Sequence, residues 1–408
     1  MSILNSKKMI VCIAGKNKIA VDIAKSILDM GYKLIACVNS NDNGLNGWQP
    51  SFKKFCYDNR IEIYSLNDVE KIENLLFLSL EYDKIISPDN FKTNRLYNIH
   101  FSLLPKYKGM YTSILPILFN ESFTGVTFHR IDSGIDTGGI IFQRKIKINK
   151  IDNSEILYSK YIENGIHLIK ENLIKIISNN LIEKPQSFYK SSYFSKKYFD
   201  FQNININPYN TAFQINNYVR AFAFRPYQLS KFQGKTIYLS EISTLKSVGK
   251  PGEVILEDEY KLIINTIDYQ IILYKDQLEN LFDNIIKNDF NKVRLIIENR
   301  FPIQTVNKKG WNALIVACYH GRNEIIDYLI ENGANINSVN YNGTTVLMYA
   351  MSYFESTLDS KTFNKILSYG ADIYLKDYNG KNIFDYAEER NNSLVIQELK
   401  KIKKNEKD

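Results

Sequence analysis

The sequence predicts an α/β protein. A parallel, doubly wound sheet is followed by a small antiparallel β unit and an all-α repeat segment. Three observations carry this. Apolar runs alternate with amphipathic helical stretches from Met9 to Ile177, as in linked strand-helix-strand units. Short strands separated by turns crowd residues 184–275. Beyond residue 276 a motif recurs with a period near 33.

The first strand is MIVCIAG, beginning at Met9. KNKIAVDIAKSILDMG follows with helical spacing and Gly31 as its stop. KLIACVN is a second buried strand, and IEIYSL and DKIIS read as further short strands. A dinucleotide fingerprint needs three glycines in the first turn. Only Gly15 is present there, so NAD and FAD are disfavoured. TGVTFH and GGIIFQRKIKI read as strands, covered by an amphipathic helix over 154–177. KTIYLSEIS, GEVILED, YKLIINTI and YQIILYK then make the antiparallel unit. The expected domains are 1–183, 184–275 and 276–408.

In the last third, Gly310, Gly343 and Gly380 stand 33 and 37 residues apart in NKKGWNAL, NYNGTTVL and DYNGKNIF. Between these come IIDYLIENGANIN and FNKILSYGADIY, with a longer helical insertion near 354–361. Helix, GA[ND]I turn and NxxG hairpin resemble the ankyrin repeat.

Composition narrows the function classes. The 408 residues are 44% hydrophobic and 24% charged, which excludes wholesale disorder. No apolar run reaches the roughly 20 residues of a membrane span, and a cytoplasmic protein is expected. Cys12, Cys37, Cys56 and Cys318 are scattered without paired spacing, so buried thiols are expected rather than disulfides or metal ligands. With four histidines, no metal is implied. From Asp276 onward, 17 basic residues face 18 acidic ones, a net of −1; the earlier 35 and 26 leave +9. Such a basic half suits an anionic ligand, a nucleic acid or a solvated Lys-rich face.

The chemistry lies in NIHFSLLPKYKG (98–109) and GVTFHRIDSGIDTGG (125–139). Asn98 and His100 flank Ile99, so a strand would project both to one face. Asp136 sits in a loop with Ser133, Gly134, Gly138 and Gly139. An amide donor, an imidazole and a carboxylate can serve acyl transfer, holding an oxyanion, moving a proton and orienting the imidazole.

These stretches resemble the 10-formyltetrahydrofolate-dependent formyltransferases over about Met9–Ile177. The family pattern is Asn-x-His-x-SLLPxxxG, then GVTxH with an aspartate seven residues beyond the histidine. Asn98, His100 and Asp136 match that catalytic trio in order and separation. INNYVRAFAFRPYQLSKF (215–232) is similar to the segment that follows the catalytic domain in nucleotide-sugar N-formyltransferases. The appended repeats are similar to those of dTDP-amino-sugar formyltransferases.

The resemblance implies a formyltransferase-type Rossmann-like sheet and 10-formyltetrahydrofolate as co-substrate. It also implies an acceptor such as dTDP-3-amino-3,6-dideoxy-D-glucose, destined for O-antigen or another surface polysaccharide. Asn98 would hold the oxyanion, His100 would relay the proton and Asp136 would hold His100. The folate would lie along Lys84, Ile85, Ile86 and Ser87 and the loop with Asp132, Gly134 and Asp136. Gly15, Lys16, Asn17, Ser102, Lys106, Tyr107, Lys108, Gly109, Phe222, Phe224 and Tyr227 are candidates for the nucleotide sugar. His129 is expected to be structural. Trp311 near Tyr319 is a candidate second nucleotide-sugar site, with protein binding as the default use of the repeats. A homodimer through the β region is expected, with no nucleic acid and no membrane. The alternatives are a dTDP-, UDP- or GDP-linked 4-amino sugar or dTDP-3-amino-3,6-dideoxygalactose; methionyl-tRNA; and a protein-binding module on a retired enzyme.

Overall fold

The computed structural model describes residues 9–225 and 228–405. Its first apolar run forms β1 (Ile10–Gly15), and the amphipathic stretch after it forms α1 (Asn17–Asp29). Ile19, Ala20, Ile23, Ala24 and Ile27 make the buried stripe of that helix. Gly31 takes φ +74 just beyond, the left-handed turn that ends helices. The chain continues through β2 (Lys33–Val38), α2 (Phe52–Asp58), β3 (Glu62–Ile63), α3 (Leu66–Val69) and β4 (Leu75–Leu80). Next come β5 (Leu96–His100), β6 (Lys108–Gly109), α4 (Leu115–Leu118), β7 (Phe123–Arg130), β8 (Ile140–Lys147) and α5 (Ser154–Ile177).

Seven of these strands form one sheet in the order β3-β2-β1-β4-β5-β7-β8. It is parallel from β3 to β5 and antiparallel at β5–β7 and β7–β8. Strand order reverses between β1 and β4, the switch point beside which open α/β sheets place their ligands. Val11, Ile13, Leu78, Tyr97 and Ile99 join the buried stripes of α1 and α5 in one core, while Cys12, Phe77 and Leu96 form the other face. Gly165 lets α5 come close, since a Cβ there would stand 3.0 Å from Ile19.

One expected strand is displaced. DKIIS forms no strand, and the central β4 is the wholly buried LLFLSL just before it. The physical reason is burial. A strand between two parallel neighbours must be apolar on both faces, whereas Ile85 is 77% exposed and Asp83 bonds Ser40.

The second sheet follows β9 (Tyr193–Phe194), which pairs with β6, and α6 (Ala212–Ala221). Its strands are β10 (Ser230–Phe232), β11 (Lys235–Lys246), β12 (Val254–Glu257), β13 (Lys261–Asn265) and β14 (Tyr269–Lys275). They run antiparallel in the order β10-β11-β14-β13-β12. Ile215 and Val219 of α6 pack on Ile237, Leu262, Ile264, Ile271 and Leu273.

The chain divides essentially at Lys275 into two compact units. The second holds α7 (Leu278–Lys287), α8 (Phe290–Glu298), α9 (Ala313–Tyr319), α10 (Asn323–Glu331), α11 (Val346–Thr357), α12 (Lys361–Ser368), α13 (Ile383–Glu389) and α14 (Ser393–Asn405). The recurring hairpins have one construction. Asn307, Asn340 and Asp377 each accept from the amides two and four residues on. Gly310, Gly343 and Gly380 each take φ +78 or +79. Asn312, Thr345 and Asn382 then cap the following helix. The expected insertion is the longer α11, closed by left-handed Leu358. Among the described residues no helix is long and apolar enough to cross a membrane.

Candidate active site

Strand β5 presents Asn98 and His100 on one sheet face, while Tyr97 and Ile99 are buried against the helices on the other. In the neighbouring β7, His129 lies directly opposite Asn98 in the ladder. Asp136 reaches the same place from the loop between β7 and β8, with φ +54. Aspartate is among the few non-glycine residues that adopt this left-handed conformation.

The four side chains converge. Asn98 Nδ2 donates to His129 Nε2 at 3.1 Å and approaches Asp136 Oδ1 at 3.4 Å. His100 Nδ1 stands 3.4 Å from Asp136 Oδ2, and His129 Nε2 stands 3.5 Å from Oδ1. His100 Nε2 donates to the Tyr107 carbonyl at 2.7 Å, and the Gly109 amide donates to Asp136 at 2.9 Å. Burial alone would raise the Asp136 pKa. The His100 and His129 charges, with hydrogen bonds from His129 and the Gly109 amide, overcome it and hold the carboxyl well below its usual range.

The segment just after the predicted catalytic half pins both loops. Gln186 Nε2 donates to the carbonyls of Asp136 (2.8 Å) and Gly138 (2.7 Å). Ser192 accepts from the Tyr107 amide through Oγ and from the Lys108 amide through its carbonyl. Gly109 must be glycine. It has φ +84, and a Cβ would stand 2.4 Å from the Phe194 carbonyl oxygen. Sequence reasoning missed Gln186 and Ser192 because their stretch has no periodicity; their side chains act on backbone far away in sequence.

The other predicted residues divide. Lys84, Ile85 and Ser87 form exposed coil, and Ile86 is buried in the same apolar cluster as Ile131. In the 132–136 loop, Asp132 accepts from Gly134 and Thr137. Lys108 and Gly109 lie at the site on β6. Tyr107 contributes its backbone, since its buried hydroxyl bonds Glu121.

Two expectations are corrected, and other candidates have partners within the protein. Phe222 and Phe224 are 1% and 5% exposed. Phe222 packs on Phe199, Phe201 and Tyr218, and Phe224 on Tyr158. Neither offers an open face for a thymine. Lys106 is held by Glu121 at 2.7 Å, and Ser102 Oγ bonds the Lys106 carbonyl within the loop. A Cβ on Gly15 would stand 1.9 Å from the Leu80 carbonyl oxygen, so this glycine serves the close approach of β1 and β4. Lys16 bonds Leu80 through its amide, and half-buried Asn17 donates to Glu81 and Tyr158. Tyr227 lies outside the described residues. In the repeats, Trp311 does meet Tyr319, with centroids 5.3 Å apart, and Tyr349 at 4.9 Å.

Comparison with known proteins identifies relatives of both parts of the chain. The family described as "Formyl transferase" matches residues 64–173, and "Ankyrin repeats (3 copies)" matches residues 284–377. The solved structure of WlaRD, a sugar 3N-formyl transferase in the presence of dTDP and 5-N-formyl-THF, is 43% identical. The match covers 66% of this chain and 98% of that one, with a TM-score of 0.61.

The chain belongs to the formyltransferase family.

An N-formyltransferase from Helicobacter canadensis, in complex with folinic acid and dTDP-3-aminofucose, is 39% identical to this formyltransferase. The match covers 66% of this chain and all of that one, with a TM-score of 0.61. Methionyl-tRNA formyltransferase of Ureaplasma parvum is 29% identical over 286 residues, 64% of this chain and 90% of that protein. The formyltransferase therefore carries a sugar N-formyltransferase fold followed by ankyrin repeats.

Proposed function

We propose that this formyltransferase moves the formyl group of 10-formyltetrahydrofolate onto the amine of a dTDP-linked 3-amino-3,6-dideoxyhexose. One observation carries the reading: 43% identity across 98% of a sugar 3N-formyl transferase studied with dTDP and 5-N-formyl-THF. The Helicobacter canadensis enzyme, complexed with a dTDP-3-amino sugar, supports the same amine position. The gluco sugar is preferred on the resemblance of the repeats, and its use in surface polysaccharide follows from that choice.

In this reading the sugar amine attacks the formyl carbon, the bond from that carbon to folate N10 breaks, and N10 gains a proton. The amide of Asn98 donates to the formyl oxygen as it becomes an oxyanion. His100 Nε2 is given to the Tyr107 carbonyl, so Nδ1 is the nitrogen that takes the amine proton and passes it to N10. Ionised Asp136, 3.4 Å from that nitrogen, keeps the ring in place. The folate would lie along the backbone of residues 84–87 and of the 132–136 loop.

The test is incubation with 10-formyltetrahydrofolate and a panel of dTDP- and UDP-linked 3-amino and 4-amino sugars, products read by mass. One added formyl on dTDP-3-amino-3,6-dideoxyglucose, lost in His100→Ala, supports the proposal. Addition only to a 4-amino sugar overturns the acceptor. The tRNA reading rests on the 29% likeness to a methionyl-tRNA formyltransferase; filter binding of tRNA by the wild-type chain would favour it. The Trp311–Tyr319–Tyr349 cluster, with Lys309 5.7 Å from the Trp311 ring, supports a second nucleotide-sugar site on the repeats.

A further inference from the structure

Glu81 is a charged group that the reaction described above leaves unused. It directly follows β4, beside the point where strand order reverses, and its backbone is left-handed with φ +63. Such strain on a long side chain gathers at functional sites, where the surroundings hold it in place. Here Asn39, just past β2, donates from Nδ2 to the Glu81 carbonyl at 2.7 Å. Asn17, which opens α1 just past β1, is left-handed as well, at φ +64.

The Glu81 carboxylate is turned toward α1 and α5. Tyr158 of α5 donates to Oε1, and Asn17 Nδ2 donates to Oε2 at 3.1 Å. Burial pushes the carboxyl up, opposed by the Tyr158 hydrogen bond, the Lys16 charge and the Asn17 hydrogen bond. Among the described residues each oxygen accepts one hydrogen bond, and a carboxylate oxygen has room for two. Both donors are neutral groups, so the carboxylate keeps its charge and the capacity to take a donor from outside.

The reaction lies close by. Ser79 of β4 is level with Asn98 of β5 in the ladder, and Glu81 and His100 each follow two residues on. Phe101, next after His100, crosses the ring of Tyr158 at 5.8 Å and 86°. The side chain that holds the carboxylate therefore packs on the immediate neighbour of His100. Chemistry narrows what fits there. A carboxylate repels a pyrophosphate and the folate's own carboxylates, and it accepts from hydroxyl groups. A 3-amino-3,6-dideoxyhexose linked through C1 offers hydroxyls at C2 and C4, one on either side of the reacting amine.

We propose that Glu81 is a specificity-determining residue: it accepts a hydrogen bond from a sugar hydroxyl that flanks the reacting amine, and so turns that amine toward the formyl carbon. The proposal rests on the acceptor put forward above.

The test removes the two partners separately and together. Glu81→Gln removes the charged acceptor, and the 2-deoxy and 4-deoxy analogues of dTDP-3-amino-3,6-dideoxyglucose remove one hydroxyl each. In the wild type one analogue is expected to lose about 10- to 100-fold in kcat/KM, the effect of a lost hydrogen bond to a charged group. Glu81→Gln is expected to lose a similar factor with the full acceptor and little more with that analogue. A purely structural Glu81 would make the two losses multiply. Multiplied losses with both analogues overturn the proposal, as does a wild type indifferent to both hydroxyls. Calorimetric affinity for dTDP alone is expected to be the same in wild type and Glu81→Gln; a matching loss there overturns the proposal by placing the effect at the nucleotide. Where Glu81→Gln does not fold, Glu81→Asp, which keeps the charge but withdraws it by one methylene, carries the same comparison. A wild type that formylates no dTDP-linked 3-amino sugar removes the acceptor reading together with this inference, whereas multiplied losses in an active enzyme remove this inference alone.

Discussion

At Asp136 a left-handed backbone, a depressed pKa and three converging partners meet in one residue. Because the folded carboxyl is held below its unfolded value, the stability it contributes is complete above about pH 4. That stability is lost only as pH falls toward the folded value. The gap in thermal midpoint between wild type and Asp136→Asn should therefore narrow only below about pH 4; narrowing near pH 6 would contradict the assignment. In the reaction, Asn98→Ala should lower kcat by about 10²–10³ and His100→Ala by about 10²–10⁴. Single-turnover rates with saturating substrates would check both. The trio was legible in the sequence because alternation puts Asn98 and His100 on one face and the glycine-rich loop returns Asp136 to it. The bond from Asn98 to His129 was not, because it crosses strands whose register no local pattern records.

Between elements, a tight constraint lies where β1 and β4 pair at Gly15 and Leu80. A Cβ at Gly15 would meet backbone, which cannot rotate away as a side chain can. Gly15→Ala should cost about 3 kcal/mol, read as a lower urea midpoint by far-UV circular dichroism; an unchanged midpoint would show that the strands can part freely. Alternation and helical periodicity made α1, α5, the antiparallel sheet and the ankyrin hairpins legible. DKIIS failed as a strand because a short mixed run looks alike in a loop and at a sheet edge, whereas the buried LLFLSL has a central strand's uniform apolarity. Phe222 and Phe224 failed as base-stacking candidates for a related reason: aromatic type does not tell a core ring from an open one.

For the whole molecule, the division of charge is informative beside the fold. The net +9 of the first 275 residues accompanies a match to sugar N-formyltransferases that is closer in identity than the match to the tRNA enzyme. An anionic nucleotide sugar suits that charge without any nucleic acid. If the repeats carry a second nucleotide-sugar site, calorimetric titration with dTDP should find two ligands per wild-type chain and one per Trp311→Ala chain. Unchanged stoichiometry in the variant would remove that site. The central claim is the acceptor, and competition tests it most directly. The protein would receive 10-formyltetrahydrofolate labelled with 13C in the formyl group, together with equimolar dTDP-3-amino-3,6-dideoxyglucose, its 4-amino isomer and methionyl-tRNA. The label should appear first, and in excess, on the 3-amino nitrogen. Label first on the 4-amino sugar or on the tRNA would contradict the account.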